Sequence, residues 1–209
     1  FIIMAKTDQK EVSAFIVESS YKGFQVGKKE NKMGVCGSPT CQLILEDCVV
    51  PEENMIGNHG DGMKIAFEAL NSGRVAMGAC SVGVAEMAFD KAMKYCFDKK
   101  ILNQQSVQFL IADCASKIEY SRLLVHHAAT MKDKNMPFSK QAAMAKLVAS
   151  DMVMEVTSSI VKLMGVDGLL VSNDVERYFR DAKALQIVEG TNQIQRIVIA
   201  RQLEREYSC

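Results

Sequence analysis

Residues 62–99 read GMKIAFEALNSGRVAMGACSVGVAEMAFDKAMKYCFDK, and this stretch contains no proline and few other helix breakers. So long a segment rich in helix-forming residues predicts one or two long α-helices. Three glycines interrupt it, at Gly73, Gly78 and Gly83. We expect a break in the helix near Gly73 and close contacts with other helices at the glycines beyond it.

The helical pattern continues downstream of this stretch. Apolar residues recur at helical spacing at Val107, Leu110, Ile111, Cys114 and Ile118. Pro137 and Ser139 predict a turn and a helix cap, before a helix that runs from Lys140 to about Met164 and stops at Gly165. A last helix begins at Thr191. Long helices joined by short loops predict an antiparallel bundle.

The chain has a different character before Pro51. Short apolar runs alternate there with polar ones, in residues 1–6, 11–19, 24–29 and 41–50. This pattern predicts strands, so the fold class is mainly α with a preceding antiparallel β part, α+β overall. We expect the β part to occupy residues 1–55 and the helical bundle residues 56–209. Because the chain starts at Phe1 inside a predicted strand, without an initiator methionine, we expect further residues upstream.

Composition narrows the classes of function. The 209 residues include 25 Lys plus Arg and 25 Asp plus Glu, and 48% are hydrophobic. The neutral balance gives no electrostatic footprint for nucleic acid. No apolar stretch reaches bilayer length before a charge interrupts it, so no membrane span is predicted. The sequence does not show a basic segment followed by an apolar run at its start, so no signal peptide is predicted.

Cysteine spacing does not predict a metal site. The seven cysteines are Cys36, Cys41, Cys48, Cys80, Cys96, Cys114 and Cys209. They form no C-x-x-C pair, and an odd number cannot all pair within the chain. We therefore interpret them as reduced structural thiols and predict no bound metal.

A carboxylate precedes the last predicted helix, in IVEGTNQIQR at residues 187–196. Glu189 is followed by a glycine, a capping threonine and an amphipathic segment. An acid on a short joint outside a helix can reach into a cavity that the helix only borders, as a base that removes a proton from carbon must do. Alternatively, Glu189 complements the positive end of the helix.

Taken together, these segments resemble the acyl-CoA dehydrogenases. The matching stretches are SAFIVE at 13–18, GKKENKMG at 27–34, LEDCVVP at 45–51, GR at 73–74, PF at 137–138, AAMAKL at 142–147, VERYFRDAK at 175–183 and EGT at 189–191. They run in the family's order along essentially the whole chain. The short-chain and short-branched-chain members look most similar.

The resemblance implies a three-part fold, in which an N-terminal helical domain, a middle β-domain and a C-terminal four-helix bundle follow one another. This chain would supply the second half of the β-domain and the whole bundle. The strands that flank the flavin ring would lie upstream of Phe1.

The resemblance also implies an activity, the α,β-dehydrogenation of an acyl-CoA thioester to the trans-2-enoyl-CoA in fatty acid β-oxidation. The cofactor would be FAD, and electron-transfer flavoprotein would receive the electrons. Family members are usually homotetramers. The implied compartment is the mitochondrial matrix in a eukaryote and the cytoplasm in a bacterium.

Site residues follow by position in the family motifs. Glu189 matches the catalytic base, and its amide would bind the thioester carbonyl together with a ribityl hydroxyl of the flavin. Some members carry the base at the position of Gly73, which has no side chain here, so Glu189 is the candidate. The remaining implied substrate contacts are Asn71, Ser72, Gly73, Arg74 and Gly190, and the implied FAD contacts are Thr191, Asn192 and Gln193.

Asn71 replaces the usual aspartate of the family. Two other residues have a second interpretation. Arg74 could instead form a salt bridge at the start of a helix, and Thr191 could act only as a helix cap, a role compatible with phosphate binding.

Three features depart from the family pattern. The segment from Lys99 to Gln104 is shorter and lacks the residues that cover a neighbouring subunit's FAD. Lys162 and Val166 replace a glutamine and a glycine that meet the partner subunit's FAD, and the strands that flank the flavin ring are absent from these residues. Two hypotheses therefore remain. The protein is an acyl-CoA dehydrogenase with Glu189 as base, or it is a non-catalytic relative whose bundle serves oligomerisation and no longer binds FAD. The 209 residues alone are predicted not to turn over substrate.

Overall fold

A computed structural model describes residues 1–208 of the chain; Cys209 lies outside the described residues. Five strands come first: β1 Ile2–Lys6, β2 Val12–Ile16, β3 Phe24–Lys29, β4 Cys41–Leu45 and β5 Met55–Ile56. Five α-helices follow: α1 Gly62–Asp98, α2 Gln105–Asp133, α3 Ser139–Met164, α4 Val175–Leu185 and α5 Asn192–Tyr207. The order confirms the predicted fold class, a helical domain preceded by a small antiparallel β part.

Two compact units are present. The first contains Phe1–Lys32 and Cys36–Leu70; the second contains Met33–Val35 and the chain from Asn71 onward. All the site residues predicted from the sequence belong to the second unit. The predicted domain boundary between residues 55 and 56 stays a prediction.

The first unit is built on antiparallel pairing. One sheet has the order β1-β2-β5, and β3 pairs with β4 in a separate hairpin. In β2, Ser13 and Ala14 are fully buried, and the Gly60 amide donates a 3.0 Å hydrogen bond to the Ser13 hydroxyl. These contacts give the unit a core of its own.

In the second unit α3 lies at the centre, packed against α2, α4 and α5. Its buried face consists of small and medium apolar residues that include Ala142, Ala145, Ala149, Met152, Val153, Val156 and Ile160. Alanines at helical spacing allow neighbouring helices to approach closely, so polar groups that the same face carries are removed from water.

The predicted break near Gly73 is wrong, because α1 is one continuous helix of 37 residues. A single glycine destabilises a helix interior by about 1 kcal/mol relative to alanine, which is too little to interrupt a long helix. The expected close contact is confirmed at Gly78, where an added Cβ would lie 2.8 Å from Val125 Cγ2. A Cβ atom added to Gly83 would have no such neighbour within 4 Å among residues 1–208, so the expected close contact is absent there.

The ends of α3 are partly as predicted. Gly165, with φ 58°, ends the helix. Ser139 is not the cap, however. It is the first residue of α3, and its hydroxyl lies 3.1 Å from Asn71 Oδ1, while the cap position belongs to Phe138 without a side-chain bond. The sequence pattern also gave no separate prediction for α4.

No helix among residues 1–208 has both the length and the apolar character needed to cross a membrane. Six cysteines lie in the same part of the chain, and all six are free thiols.

Candidate active site

The turn between α4 and α5, residues 186–191, places the candidate base; we call it the acid turn. Glu189 and Gly190 both have left-handed backbone conformations, with φ 54° and 88°. Glycine adopts this conformation freely, but a glutamate does so only at a cost of about 1–3 kcal/mol. The turn therefore holds Glu189 in a conformation that its own residue type does not favour.

The carboxylate of Glu189 lies against the backbone of α1 at Gly73. A Cβ atom added to Gly73 would lie 2.5 Å from Glu189 Oε2 and 2.9 Å from its Cδ. Any side chain at residue 73 would therefore have to displace the acid. The residue itself is partly buried, so it is not a surface carboxylate pointing freely into water.

Beside this contact, Arg74 brings a buried positive charge. Its exposed fraction is 6%, its Nη1 donates a 2.7 Å hydrogen bond to Asn71 Oδ1, and its Nε is buried with no partner among residues 1–208. Burial lowers the pKa of Arg74, whereas the negative charge of Glu189 raises it. The alternative role of Arg74, a salt bridge at a helix start, is wrong because α1 begins at Gly62.

A second buried cation, Lys146 on α3, lies on the other side of the acid turn. It is fully buried, and its Nζ donates hydrogen bonds of 2.9 Å to the carbonyl oxygen of Gly190 and 2.7 Å to Asn192 Oδ1. The pKa of Lys146 is lowered to about 8. Burial is the largest cause of this shift, the negative charges of Asp151 and Glu189 oppose it, and the positive charge of Arg74 adds to it.

Asn192 is committed to this internal network. Its Oδ1 also accepts from Ser150 Oγ at 3.0 Å, and its Nδ2 donates to Asp151 Oδ1 at 2.7 Å. With 4% of its surface exposed, its side chain is not free to face a cofactor. Its amide is engaged as well, because it donates to the Gln186 carbonyl at 3.1 Å. The contact of Asn192 with FAD stays a prediction.

The other two residues assigned to the cofactor surround the start of α5. Thr191 Oγ1 accepts from the Ile194 amide at 3.4 Å, so the threonine caps the helix as predicted. Gln193 is exposed, and no acidic residue lies in the first turn of α5. The positive end of this helix is thus open to an anion.

The structure brings together most of the residues assigned to substrate. Asn71 joins Arg74 through its hydrogen bond, and Gly73 contacts Glu189. Ser72 differs, because it lines a groove between α1 and α2 together with Val75 and Val125. Its predicted substrate contact has no support from this geometry.

Sequence reasoning missed Lys146 as a site residue, although AAMAKL was recognised as a family stretch. A signal was available: position 146 falls on the same helical face as Ala142, Ala149 and Val153, which are all fully buried. A lysine on such a face must bury its amine and find oxygen partners.

The two residues that replace family residues lie at one end of a helix. Lys162 and Val166 flank the end of α3, and both are exposed, Val166 to 76%. Within the described residues there is no group of three or more His, Cys, Asp or Glu side chains that could hold a metal ion.

Comparison with known proteins identifies the family. The model for "Acyl-CoA dehydrogenase, C-terminal domain" matches residues 60–204. The chain is 44% identical to acryloyl-CoA reductase (NADH) of Anaerotignum propionicum, over 97% of this chain and 54% of that protein. It is 40% identical to the mitochondrial short-chain specific acyl-CoA dehydrogenase of Rattus norvegicus, over 99% of this chain and 52% of that protein.

Solved structures agree. The butyryl-CoA dehydrogenase of Megasphaera elsdenii superimposes with a TM-score of 0.94 at 42% identity, over 97% of this chain and 55% of the other. An acyl-CoA dehydrogenase from Bacillus anthracis, solved with FAD, gives a TM-score of 0.93 at 29% identity, over all of this chain and 40% of the other.

The chain spans about half the length of the curated relatives it matches. Because the family model covers most of the chain, the chain belongs to the acyl-CoA dehydrogenase family.

Proposed function

We propose that the protein is an FAD-dependent acyl-CoA dehydrogenase acting on short-chain thioesters, with Glu189 as the base. The observation that carries the proposal is the Glu189 carboxylate, held by a left-handed turn against Gly73 and next to the buried charge of Arg74. A base in a turn that is held against a helix has the defined position that proton abstraction from carbon needs.

The proposed reaction breaks two C–H bonds. The α-proton of the acyl group moves to a carboxylate oxygen of Glu189, and the electron pair left behind forms the new double bond as a hydride departs from the β-carbon. Bound FAD would supply the acceptor for that hydride. The amide of Glu189, supported by the flexible Gly190, is proposed to stabilise the negative charge that develops on the thioester oxygen.

The start of α5 fits the phosphate-bearing part of such a cofactor. Thr191 presents a hydroxyl there, Gln193 is exposed, and the absence of acids in the first turn leaves the helix dipole available. We propose Thr191 and Gln193 as side-chain contacts to FAD. The proposed part of Asn192 is to hold the start of α5 beside them, since its side chain and its amide are both engaged within the protein.

Further features of the whole protein follow as proposals. Electron-transfer flavoprotein would accept the electrons, and the protein would form homotetramers in the mitochondrial matrix of a eukaryote or the cytoplasm of a bacterium. Residues 1–55 would complete a β-domain, and residues 56–209 would form the bundle.

The spectrum of the purified full-length protein tests the main proposal. A yellow protein whose flavin absorbance is bleached by butyryl-CoA supports the enzyme, whereas the 209 residues alone are expected to reduce no dye. A colourless oligomer that ignores added FAD would instead support the non-catalytic module. The exposed apolar residues after α3, Val166, Leu169 and Val171, suit subunit contacts in either case.

A second candidate activity is the reverse reaction, reduction of a 2-enoyl-CoA. The relative at 44% identity carries the name acryloyl-CoA reductase (NADH). In that direction protonated Glu189 would donate the proton to the α-carbon. Oxidation of NADH that depends on acryloyl-CoA, measured against dye reduction by butyryl-CoA, separates the two directions.

A further inference from the structure

We propose that Lys146 is a positioning residue for Glu189: its amine holds the acid turn against α3 and so fixes the carboxylate at Gly73. The proposal rests on the assignment of Glu189 as the base. It begins from the partners of Lys146, which are neutral oxygens, the carbonyl of Gly190 and the side chain of Asn192.

The burial of Lys146 requires an explanation. Its exposed fraction is 0%, and within the described residues no carboxylate oxygen lies within 4.0 Å of its Nζ. A buried charge without a direct counter-ion destabilises a fold, and an apolar residue of similar volume would avoid that penalty. The charged groups that face it are Asp151 on its own helix, Arg74 on α1 and Glu189 in the turn.

The bond to Gly190 acts next to a residue with an unfavourable backbone conformation. Gly190 follows Glu189 directly, and both residues are left-handed. The Gly190 carbonyl also accepts from Gln195 Nε2 at 2.9 Å, and Gln195 Nε2 lies 3.2 Å from the Glu189 carbonyl. The turn is therefore held from α3 by Lys146 and from α5 by Gln195. Removing the α3 side would free the turn to relax toward ordinary backbone angles.

Ser150 provides a matched control on the same helix. Its hydroxyl donates to Asn192 Oδ1 but makes no bond to the acid turn. Ser150→Ala therefore disturbs the same network and leaves the bond from Lys146 to Gly190 in place. If the network matters only for stability, the two substitutions should behave alike.

The test compares Lys146→Met and Ser150→Ala in the full-length protein, with two readouts. For Lys146→Met we expect faster amide hydrogen exchange confined to residues 186–192. We also expect kcat per bound flavin to fall about 10- to 100-fold, with KM for butyryl-CoA changed less than about threefold, as for a displaced base. For Ser150→Ala we expect the exchange of the turn to be unchanged and kcat within about threefold of the wild-type value.

Three outcomes would overturn the proposal: normal kcat with Lys146→Met, exchange raised equally throughout α3 and α5, or the same loss with Ser150→Ala. If Lys146→Met does not bind FAD, the same measurements are made on Lys146→Gln, which keeps a hydrogen-bond donor on a side chain of similar length. Failure of both variants beside an intact Ser150→Ala would assign Lys146 to folding alone and would also overturn the proposal.

Failure of the proposed function gives a different result. If Glu189→Gln retains full turnover, Glu189 is not the base, whatever Lys146 does to the turn. If Glu189→Gln is inactive while Lys146→Met keeps normal kcat, only the positioning role is lost.

Discussion

The acid turn and the connection from Gly165 to Asp174 both join helices of the bundle, and both use left-handed residues. Glu189 and Gly190 have φ 54° and 88°, and Gly165 and Asp174 have φ 58° and 61°. Their supports differ. The acid turn is held by buried side chains from α3 and α5. The connection is closed by short-range bonds such as Leu170 N to Asp167 O, and by partly exposed ion pairs from Lys91 to Asp174 and from Lys99 to Asp167.

The difference shows where this chain fixes its own geometry. The acid turn contains the EGT stretch, and the bonds from Lys146 and Gln195 that hold it lie within the second unit. The connection carries a departure from the family pattern at Val166 and leaves Leu169 and Val171 exposed to 66% and 78%. An exposed apolar group of this kind is typical of a surface that meets another molecule.

Replacing the acid should have the largest effect. Glu189→Gln keeps the size and the hydrogen-bonding reach of the side chain but removes its basicity. We expect turnover of butyryl-CoA to fall by roughly 10³-fold or more, while acyl-CoA still perturbs the flavin spectrum. Turnover close to the wild-type rate would remove Glu189 from its role and the acid turn from its special position.

Crowding the acid should have an intermediate effect. Gly73→Ala places a methyl group 2.5 Å from the present position of Glu189 Oε2, so the carboxylate must move. We expect kcat to decrease about 10- to 100-fold. The matched control is Gly83→Ala on the same helix, where nothing lies within 4 Å. It should leave kcat unchanged and increase the free energy of unfolding by up to about 1 kcal/mol through helix propensity. Equal kcat values for the two variants would contradict the contact.

The buried amine predicts a pH effect on stability. The pKa of Lys146 is about 8 in the folded protein and 10.5 as its ordinary value, so between these values the unfolded chain holds more protons. Rising pH then favours the folded state. The free energy of unfolding of the wild type relative to Lys146→Met should increase above about pH 8, with a slope of at most about 1.4 kcal/mol per pH unit. Urea unfolding at several pH values measures it, and a flat or falling difference would contradict the buried cation.

The smallest effect is expected in the exposed connection. Val171→Ser removes an apolar side chain that is 78% exposed in the single chain, so the free energy of unfolding of the dissociated chain should change by no more than about 0.5 kcal/mol. Chemical denaturation of the two proteins at several protein concentrations tests this. A loss of several kcal/mol at concentrations where the protein is monomeric would mean that the segment is packed within the chain and that the contrast with the acid turn is wrong.

Much of this arrangement could be predicted from the sequence. Helical spacing and breakers located α3 and the start of α5 to within one residue, and Thr191 was correctly identified as a cap. They also indicated α1 and the first half of α2, although without the end of α2 and with a break in α1 that does not exist. The family motif singled out Glu189 and Gly73, and the structure adds that the two residues are in contact.

The rest depended on contacts between distant parts of the chain. Local propensity marked Gly73 as a weak point in α1, but the cost of one glycine is too small to interrupt a helix of 37 residues. Ser139 has the chemistry of a cap, yet its hydroxyl contacts Asn71 from another helix. Lys146 could be placed on the buried face of α3, but its bond to Gly190 joins residues 44 positions apart, which no local pattern specifies.

The left-handed backbone at Glu189 sets the stability of the turn against the role proposed for the acid. Glycine at this position would relax the turn, and asparagine or aspartate would occupy it more comfortably than glutamate does. None of the three combines the reach and the basicity of glutamate. Selection for a more stable fold would therefore tend to remove Glu189. Its presence indicates that the chain tolerates a less stable turn in order to keep the acid.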